Sequence, residues 1–188
     1  MTFAFEAKNF LRQTLGMAIT NQLNEYDPIW SVRFQSEVEL LKPVFGRDLL
    51  EIHHVGSTAI PGMLAKPEID ILVVLHAGAD LQSYLRQLEP HGYRSRPDAN
   101  FSSGHLYFSK DVDGRRTHKL HLCLSTHPNV VEQLAFRDFL IRNPRRSELY
   151  RQLKLQLAAS NTQGMSEYLE GKAPFIRETL ELSKADKA

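Results

Sequence analysis

Two carboxylates, Glu68 and Asp70, stand two positions apart directly before the apolar run Ile71–Leu75. Residues two apart in a strand share a face. An extended reading therefore sets both acids side by side and packs Ile69, Ile71 and Val73 into the other face. Two acids at the mouth of a buried strand are costly unless a cation or donor lies between them. Magnesium or manganese, which favour oxygen ligands, suit such a pair. Upstream, Gly56-Ser57-Thr58 closes the strand-like segment Leu49–Val55. A glycine lets backbone amides approach a ligand closely, and Ser57 and Thr58 add hydroxyls; donors grouped in a turn can hold phosphate. A phosphate-cradling turn ahead of an acidic strand is a layout suited to a metal-bound nucleoside triphosphate.

Basic and imidazole residues extend the candidate set. Lys66 could neutralise phosphate or pair with Glu68 or Asp70. Arg116 is a candidate phosphate clamp, because guanidinium binds phosphate oxygens bidentately. Along Arg116–Leu124, alternation groups His118 with Leu120, Leu122 and Leu124, and Lys119 with His121 and Cys123. His118 and His121 then face opposite ways, which argues against a simple H-x-x-H metal pair. His121, facing the acidic strand, is the better candidate as ligand, phosphate contact or proton shuttle. His53 and His54 alternate likewise, and His54 reads best as a packed, hydrogen-bonded histidine. Arg137 and Asp138 read as a brace. The run Arg142-Asn143-Pro144-Arg145-Arg146 reads as a solvated helix junction. Tyr150, Lys154, Tyr168 and Lys172 could line a cleft between the helical end and the sheet.

The elements that must position these residues can be read from periodicity. Phe5 to about Leu23 has helical character. Asp27-Pro28 is a helix start, with Asp as cap and Pro in the first turn. The apolar spacing from Ile29 to Val44 suits a helix ending near Pro43. Leu49–Val55 and Glu68–Leu75 read as strands, Ala79–Leu88 as a helix, and His91–Arg94 as the start of a third strand. His105–Lys110 and Arg116–Leu124 flank the turn Asp111-Val112-Asp113-Gly114, a hairpin signal. Helices are expected over Val130–Ile141, Pro144–Ala159 and Met165–Leu182. The hairpin implies antiparallel pairing and the crossover implies some parallel pairing. The expectation is an α+β fold: a mixed sheet of four to five strands flanked by helices. A single domain over 1–188 follows, with a helical segment at about 5–45, a sheet core at about 48–125 and a helical part at about 128–183.

Composition narrows the function classes. A net charge of +1, with 42% hydrophobic and 24% charged residues, is that of an ordinary globular chain, and it gives no reason to expect broad nucleic-acid binding. One cysteine, Cys123, excludes an intrachain disulfide and fits a reducing compartment. The opening MTFAFEAKNF lacks a charged-then-apolar leader pattern, and no apolar run approaches membrane-spanning length, so a soluble cytoplasmic protein is expected. No G-x-G-x-x-G and no G-x-x-x-x-G-K-[ST] occurs, which disfavours a Rossmann domain or a P-loop kinase.

The string HVGSTAIPG…AKPEIDILV resembles the GrpB family, small bacterial proteins assigned to the nucleotidyltransferase superfamily that includes the polymerase-beta type. YDPIW at 26–30, RTHKLHLCL at 116–124, the helices around FRDFL and YRQLK, and YLEGKAPFI at 168–176 resemble further family signatures. The resemblance covers roughly residues 20 to 180. It implies a nucleotidyltransferase-like fold. Gly56 and Ser57 would form its phosphate turn, Asp70 with Glu68 would hold metal, and a third carboxylate would stand on a neighbouring strand. That strand, His118-Lys119-Leu120-His121-Leu122, carries no acid, a departure that bears on the second metal and on transfer itself. Fusion of this family to dephospho-CoA kinase in some bacteria implies no kinase activity here, since the phosphate loop of a kinase is missing. Three functions follow as expectations. The first is a metal-dependent nucleotidyltransferase or nucleotide-binding protein using magnesium or manganese and a nucleoside triphosphate or other phosphorylated small molecule. The second is a non-catalytic ligand-binding or interaction module. The third is a metal-dependent phosphohydrolase using His121 with Asp70.

Overall fold

The computed structural model describes residues 23–96, 102–162 and 164–186. The helix expected over Phe5 to about Leu23 therefore lies, up to residue 22, outside the described residues. Five strands form one mixed sheet in the order β1-β2-β5-β4-β3. They are β1 (Leu49–Val55), β2 (Ile69–Leu75), β3 (Tyr93–Ser95), β4 (His105–Val112) and β5 (Arg115–Leu124). Only β2 and β5 run parallel; β1 pairs β2, and β4 pairs both β5 and β3, antiparallel. The helices are α1 (Ile29–Phe45), α2 (Tyr84–Gln87), α3 (Pro128–Arg142), α4 (Pro144–Ser160) and α5 (Met165–Ala185). The α+β architecture with a mixed sheet is thus as expected, with five strands. No helix among the described residues is long and apolar enough to cross a membrane.

Local chemistry explains most boundaries. Asp27 Oδ1 accepts the Ile29 N–H at 2.9 Å and caps α1. Trp30, Phe34, Val38, Leu41 and Phe45 form its buried stripe. The helix runs through Pro43 to Phe45 instead of stopping near the proline; so close to the end, the ring removes one bond from the last turn. The β4–β5 turn is Asp113-Gly114, both with positive φ (51° and 73°), the two-residue geometry that twisted hairpins favour. Prolines occupy the first positions of α3 and α4.

One expected element breaks up. Ala79–Leu88 is not one helix but a 3-10 turn at Leu81–Ser83, the single turn α2, and another 3-10 turn at Glu89–His91. Asp80 Oδ1 bonds the Gln82 N–H at 3.0 Å and the Ser83 hydroxyl bonds the Asp80 carbonyl at 2.8 Å. Such side-chain bonds compete with the helical ladder. Gly92, left-handed at φ 83°, then ends the segment.

The two sheet faces are filled differently. On one, α1 packs over Ile69, Ile71, Val73 and Leu75 of β2 and Leu120 and Leu122 of β5, all fully buried. On the other, α3 covers only the far half, over Val55, Leu72, Val74 and Cys123. Its remaining half, at Asp70, Lys119 and His121, faces a cleft walled by α4 and α5. A further apolar cluster of Ile60, Met63, Leu140 and Tyr150 ties the helices to the loop after β1.

Candidate functional site

The cleft, of about 740 Å³, falls within the range usual for small-molecule sites. Of the residues singled out from the sequence, Ser57, Thr58, Lys66, Glu68, Asp70, Arg116 and His121 all line it. Gly56 stands just behind. Its backbone (φ 68°, ψ −171°) is a conformation open essentially to glycine alone. The Asp70 carboxylate fills the space a Cβ would occupy there. The small-residue turn and the acidic strand therefore meet through direct packing. Sheet register enforces this, because Asp70 lies opposite Val55 of β1.

On its other side Asp70 lies opposite Lys119 of β5. The Lys119 ammonium sits 2.8 Å from Glu68 Oε2 and 3.6 Å from Asp70 Oδ1. Burial works against that charge, but the Asp70 and Glu68 carboxylates outweigh it and hold Lys119 well above the ordinary lysine range. Sequence reasoning placed Lys119 on the correct face but gave it no role. The signal that could have found it is positional: it is the cation on the acid-facing side of the neighbouring strand.

Lys66, Lys154 and Lys172 have no such partners among the described residues. Among the described residues, the ion pairs within 4 Å in the cleft are those of Lys119 and that of Arg116 with Asp111 at 3.5 Å. Lys154, only 2% exposed, donates to the Leu64 carbonyl. Burial, then the charge of Lys172, lowers it to about 7. Burial, then the charge of Lys119, lowers Lys172 to about 8. Burial also lowers Lys66, with Lys119 and Arg116 adding to the fall and Glu68 opposing it. Tyr168 stands beside them, its ring 4.6 Å from the Lys172 ammonium. Its buried hydroxyl has no partner among the described residues. The cleft expected from Tyr150, Lys154, Tyr168 and Lys172 is thus formed by the last three. Tyr150 is buried behind it and bonds Ser57.

The far end is rich in rings. His121 Nδ1 lies 3.2 Å from His105 Nε2, with their rings stacked at 5.4 Å. Tyr107 packs on His121 at 5.0 Å. Burial takes His121 down to about 4, so its imidazole is uncharged at neutral pH. His127 caps α3 by accepting the Asn129 N–H on Nδ1. Its Nε2 then carries the proton and donates to Ser102 Oγ at 2.8 Å.

Several candidates turn out to be engaged structurally. Thr58 is buried; its hydroxyl donates to the Glu68 carbonyl at 3.3 Å and contacts His54 Nε2 at 3.0 Å. His54 stacks on Phe34 at 4.8 Å, and burial lowers it to about 4. Arg137 pairs with Asp138 and donates to the His54 carbonyl at 2.8 Å, the expected brace. The junction at 142–146 is largely solvated, as expected, with Arg142, Pro144 and Arg145 exposed, but Arg146 is engaged. Arg146 lies 3.8 Å over the Phe175 ring and bonds Thr179 and Glu178, pinning α4 to α5. An apolar stem and a planar head let arginine fill such a seam.

Glu68 and Asp70 already converge on one cation, and they offer the hard oxygen donors that magnesium takes. A magnesium ion needs only one or two carboxylates when water and phosphate complete its shell, so the pair fits one such ion in competition with Lys119. No group of three His, Cys, Asp or Glu side chains suited to a metal converges among the described residues.

Comparison with known proteins matches residues 20–182 to a sequence family described as GrpB protein. The UPF0157 protein YqkA of Bacillus subtilis is 36% identical over 159 residues, spanning 85% of this chain but 46% of that protein. The UPF0157 protein BH1888 of Halalkalibacterium halodurans is 32% identical over 164 residues, spanning 87% and 82% respectively. Among solved structures, that of the conserved protein GrpB from Enterococcus faecalis superposes with a TM-score of 0.79 at 30% identity, covering 88% of this chain and 98% of that one. The chain thus spans about half the length of one of these relatives and most of the others.

Proposed function

The chain belongs to the GrpB family, and from that premise we propose that its cleft binds a nucleoside triphosphate, or another small molecule with an equivalent phosphate chain. One observation carries the reading. Lys66, Arg116, Lys119, Lys154 and Lys172 line the cleft with Glu68, Asp70 and Glu132, so positive charge exceeds negative by two when all are ionised. Burying unpaired lysines is costly. A phosphate chain supplies the missing negative charge and restores the lysines that burial has depressed.

The cleft is also polarised. Lys154, Lys172 and Tyr168, with Ser57 also lining the cleft, form the phosphate end. Tyr107, His105 and the neutral His121 form a ring-lined end suited to a nucleoside. Arg116 and Lys66 would flank the phosphates. His121 would contact the ligand as a neutral imidazole. Were a magnesium ion to enter with the phosphates, Asp70 and Glu68 are the residues that would hold it, in competition with Lys119.

A role in binding without transfer is favoured by one specific feature. Lys119, not an acid, stands opposite Asp70 on β5, on the strand where the family resemblance leads one to expect a third carboxylate.

Calorimetry with ATP and inorganic triphosphate tests the reading. Lys154→Met combined with Lys172→Met should weaken binding at least tenfold, since a hydrogen bond to a charged group is worth about 1.5–3 kcal/mol. Asp70→Asn should remove whatever part of the binding depends on added magnesium. If no nucleoside triphosphate or inorganic triphosphate binds, or if the double variant binds like wild type, the proposal is wrong.

A further inference from the structure

The acid pair in the cleft is not waiting for a counter-ion; β5 brings one. Asp70 and Lys119 are register partners in the parallel β2–β5 ladder, so the ammonium is delivered by the sheet itself rather than by a mobile surface arm. It contacts Glu68 at 2.8 Å and Asp70 at 3.6 Å. An ammonium has three donors; Glu68 lies at hydrogen-bonding distance, whereas Asp70 at 3.6 Å is held by charge alone, so donor capacity remains for the cleft that Lys119 lines. From behind, Asp70 packs against the backbone of Gly56, its carboxylate in the space a Cβ would take there.

The surrounding charge points the same way. Lys66, Lys154 and Lys172 each feel the positive field of Lys119. A divalent ion placed between Glu68 and Asp70 would meet the Lys119 ammonium at close range and add to a positive excess. An anion entering the same space meets the opposite. What the cleft lacks is negative charge.

We propose that Lys119 is a tethered cation standing in for a divalent metal ion, so that this cleft captures its phosphate ligand metal-free. The ammonium neutralises Glu68 and Asp70 and turns its remaining N–H toward a ligand oxygen, bridging acids and phosphate as a metal would. The inference rests on the phosphate-binding reading and deepens it: the ligand is taken up as the free oligophosphate anion rather than as its magnesium complex.

The test uses inorganic triphosphate as probe, with excess EDTA or with magnesium, on wild type, Lys119→Met and Lys119→Arg. Wild type should bind at least as tightly in EDTA as in magnesium. Lys119→Met should lose tenfold or more in EDTA and recover most of that loss with magnesium, because the acid pair is then open. Lys119→Arg, which keeps the charge, should retain binding in EDTA. Independently of any phosphate ligand, manganese titrated by electron paramagnetic resonance should bind Lys119→Met at least tenfold more tightly than wild type, with circular dichroism confirming that the variant is folded. Wild-type binding that requires magnesium overturns the proposal, and so does a folded Lys119→Met with unchanged manganese affinity. If wild type binds triphosphate in neither condition, it is the phosphate-binding reading that fails, and the manganese result still decides the role of Lys119.

Discussion

His118 and Lys119 are neighbours on β5, yet they belong to two charge clusters on opposite sheet faces. On the α1 face, Glu37 takes the Lys110 ammonium at 2.6 Å and the Tyr93 hydroxyl at 2.8 Å, with His118 Nε2 3.9 Å away. Burial pushes Tyr93 above the ordinary phenol range and His118 below the ordinary imidazole range. One acid meets one lysine, and apolar side chains close around them. On the cleft face two acids meet Lys119, three more lysines have no ion partner among the described residues, and about 740 Å³ lies open beside them. A balanced cluster without space serves the fold. An unbalanced cluster beside a cavity is held at some expense of stability for something that enters.

That contrast breaks most visibly if the balanced cluster proves dispensable. Glu37→Ala leaves the Lys110 ammonium and the Tyr93 hydroxyl without their acceptor, and should cost about 3 kcal/mol in urea unfolding, since removing one partner of a buried pair is strongly destabilising. The Lys154→Met and Lys172→Met changes should cost far less or stabilise, because they remove unpaired buried charge. Equal losses on the two faces would erase the distinction.

A smaller effect comes from Gly56→Ala. The new methyl group collides with the Asp70 carboxylate in a backbone conformation that alanine avoids. A loss of about 2 kcal/mol is expected, from strain of this kind. It should come with weaker triphosphate binding, because Asp70 must shift and take Lys119 with it. A stable variant with intact binding would show that the turn and the acid are not coupled.

A further effect is a pH dependence confined to the cleft face. Lys154 and Lys172 are lowered in the folded state to about 7 and about 8, while the unfolded chain keeps the ordinary value of about 10.4. Above pH 7 the unfolded state therefore binds more protons, and stability rises with pH until the unfolded lysines also titrate. The cost is fully present below pH 7. Wild type should gain on the order of 3 kcal/mol between pH 7 and 9 relative to the double methionine variant. Triphosphate affinity should fall across the same interval as the ammoniums lose their protons. A flat difference between the two proteins would remove the lysines as the source.

Much of this was legible in the chain. Leu49–Val55 reads as a strand with apolar ends that runs into a glycine turn, and β1 has those bounds. The Asp-Gly pair set the β4–β5 turn. Alternation alone divided His118 from His121 and grouped Lys119 with His121. The failures have local causes. Asp80 and Ser83 bond nearby backbone and break the helix expected at Ala79–Leu88. Arg146 reads as a surface charge until Phe175, 29 residues away, is placed beneath it.

Sequence alone settled the sides on which Asp70 of β2 and His118, Lys119 and His121 of β5 stand, because the twofold period of an extended chain is a local property of the backbone. It also settled family membership, the α+β class and the meeting of an acidic strand with a small-residue turn. Which strand lies beside β2 was decided only when the sheet assembled. The β2–β5 ladder joins segments about fifty residues apart, and through it Lys119 reaches Glu68 and Asp70. The same is true of Lys154 and Lys172, which are brought over that strand by helices packed from the far end of the chain. Charge balance depends on distance in space, and no local pattern encodes it.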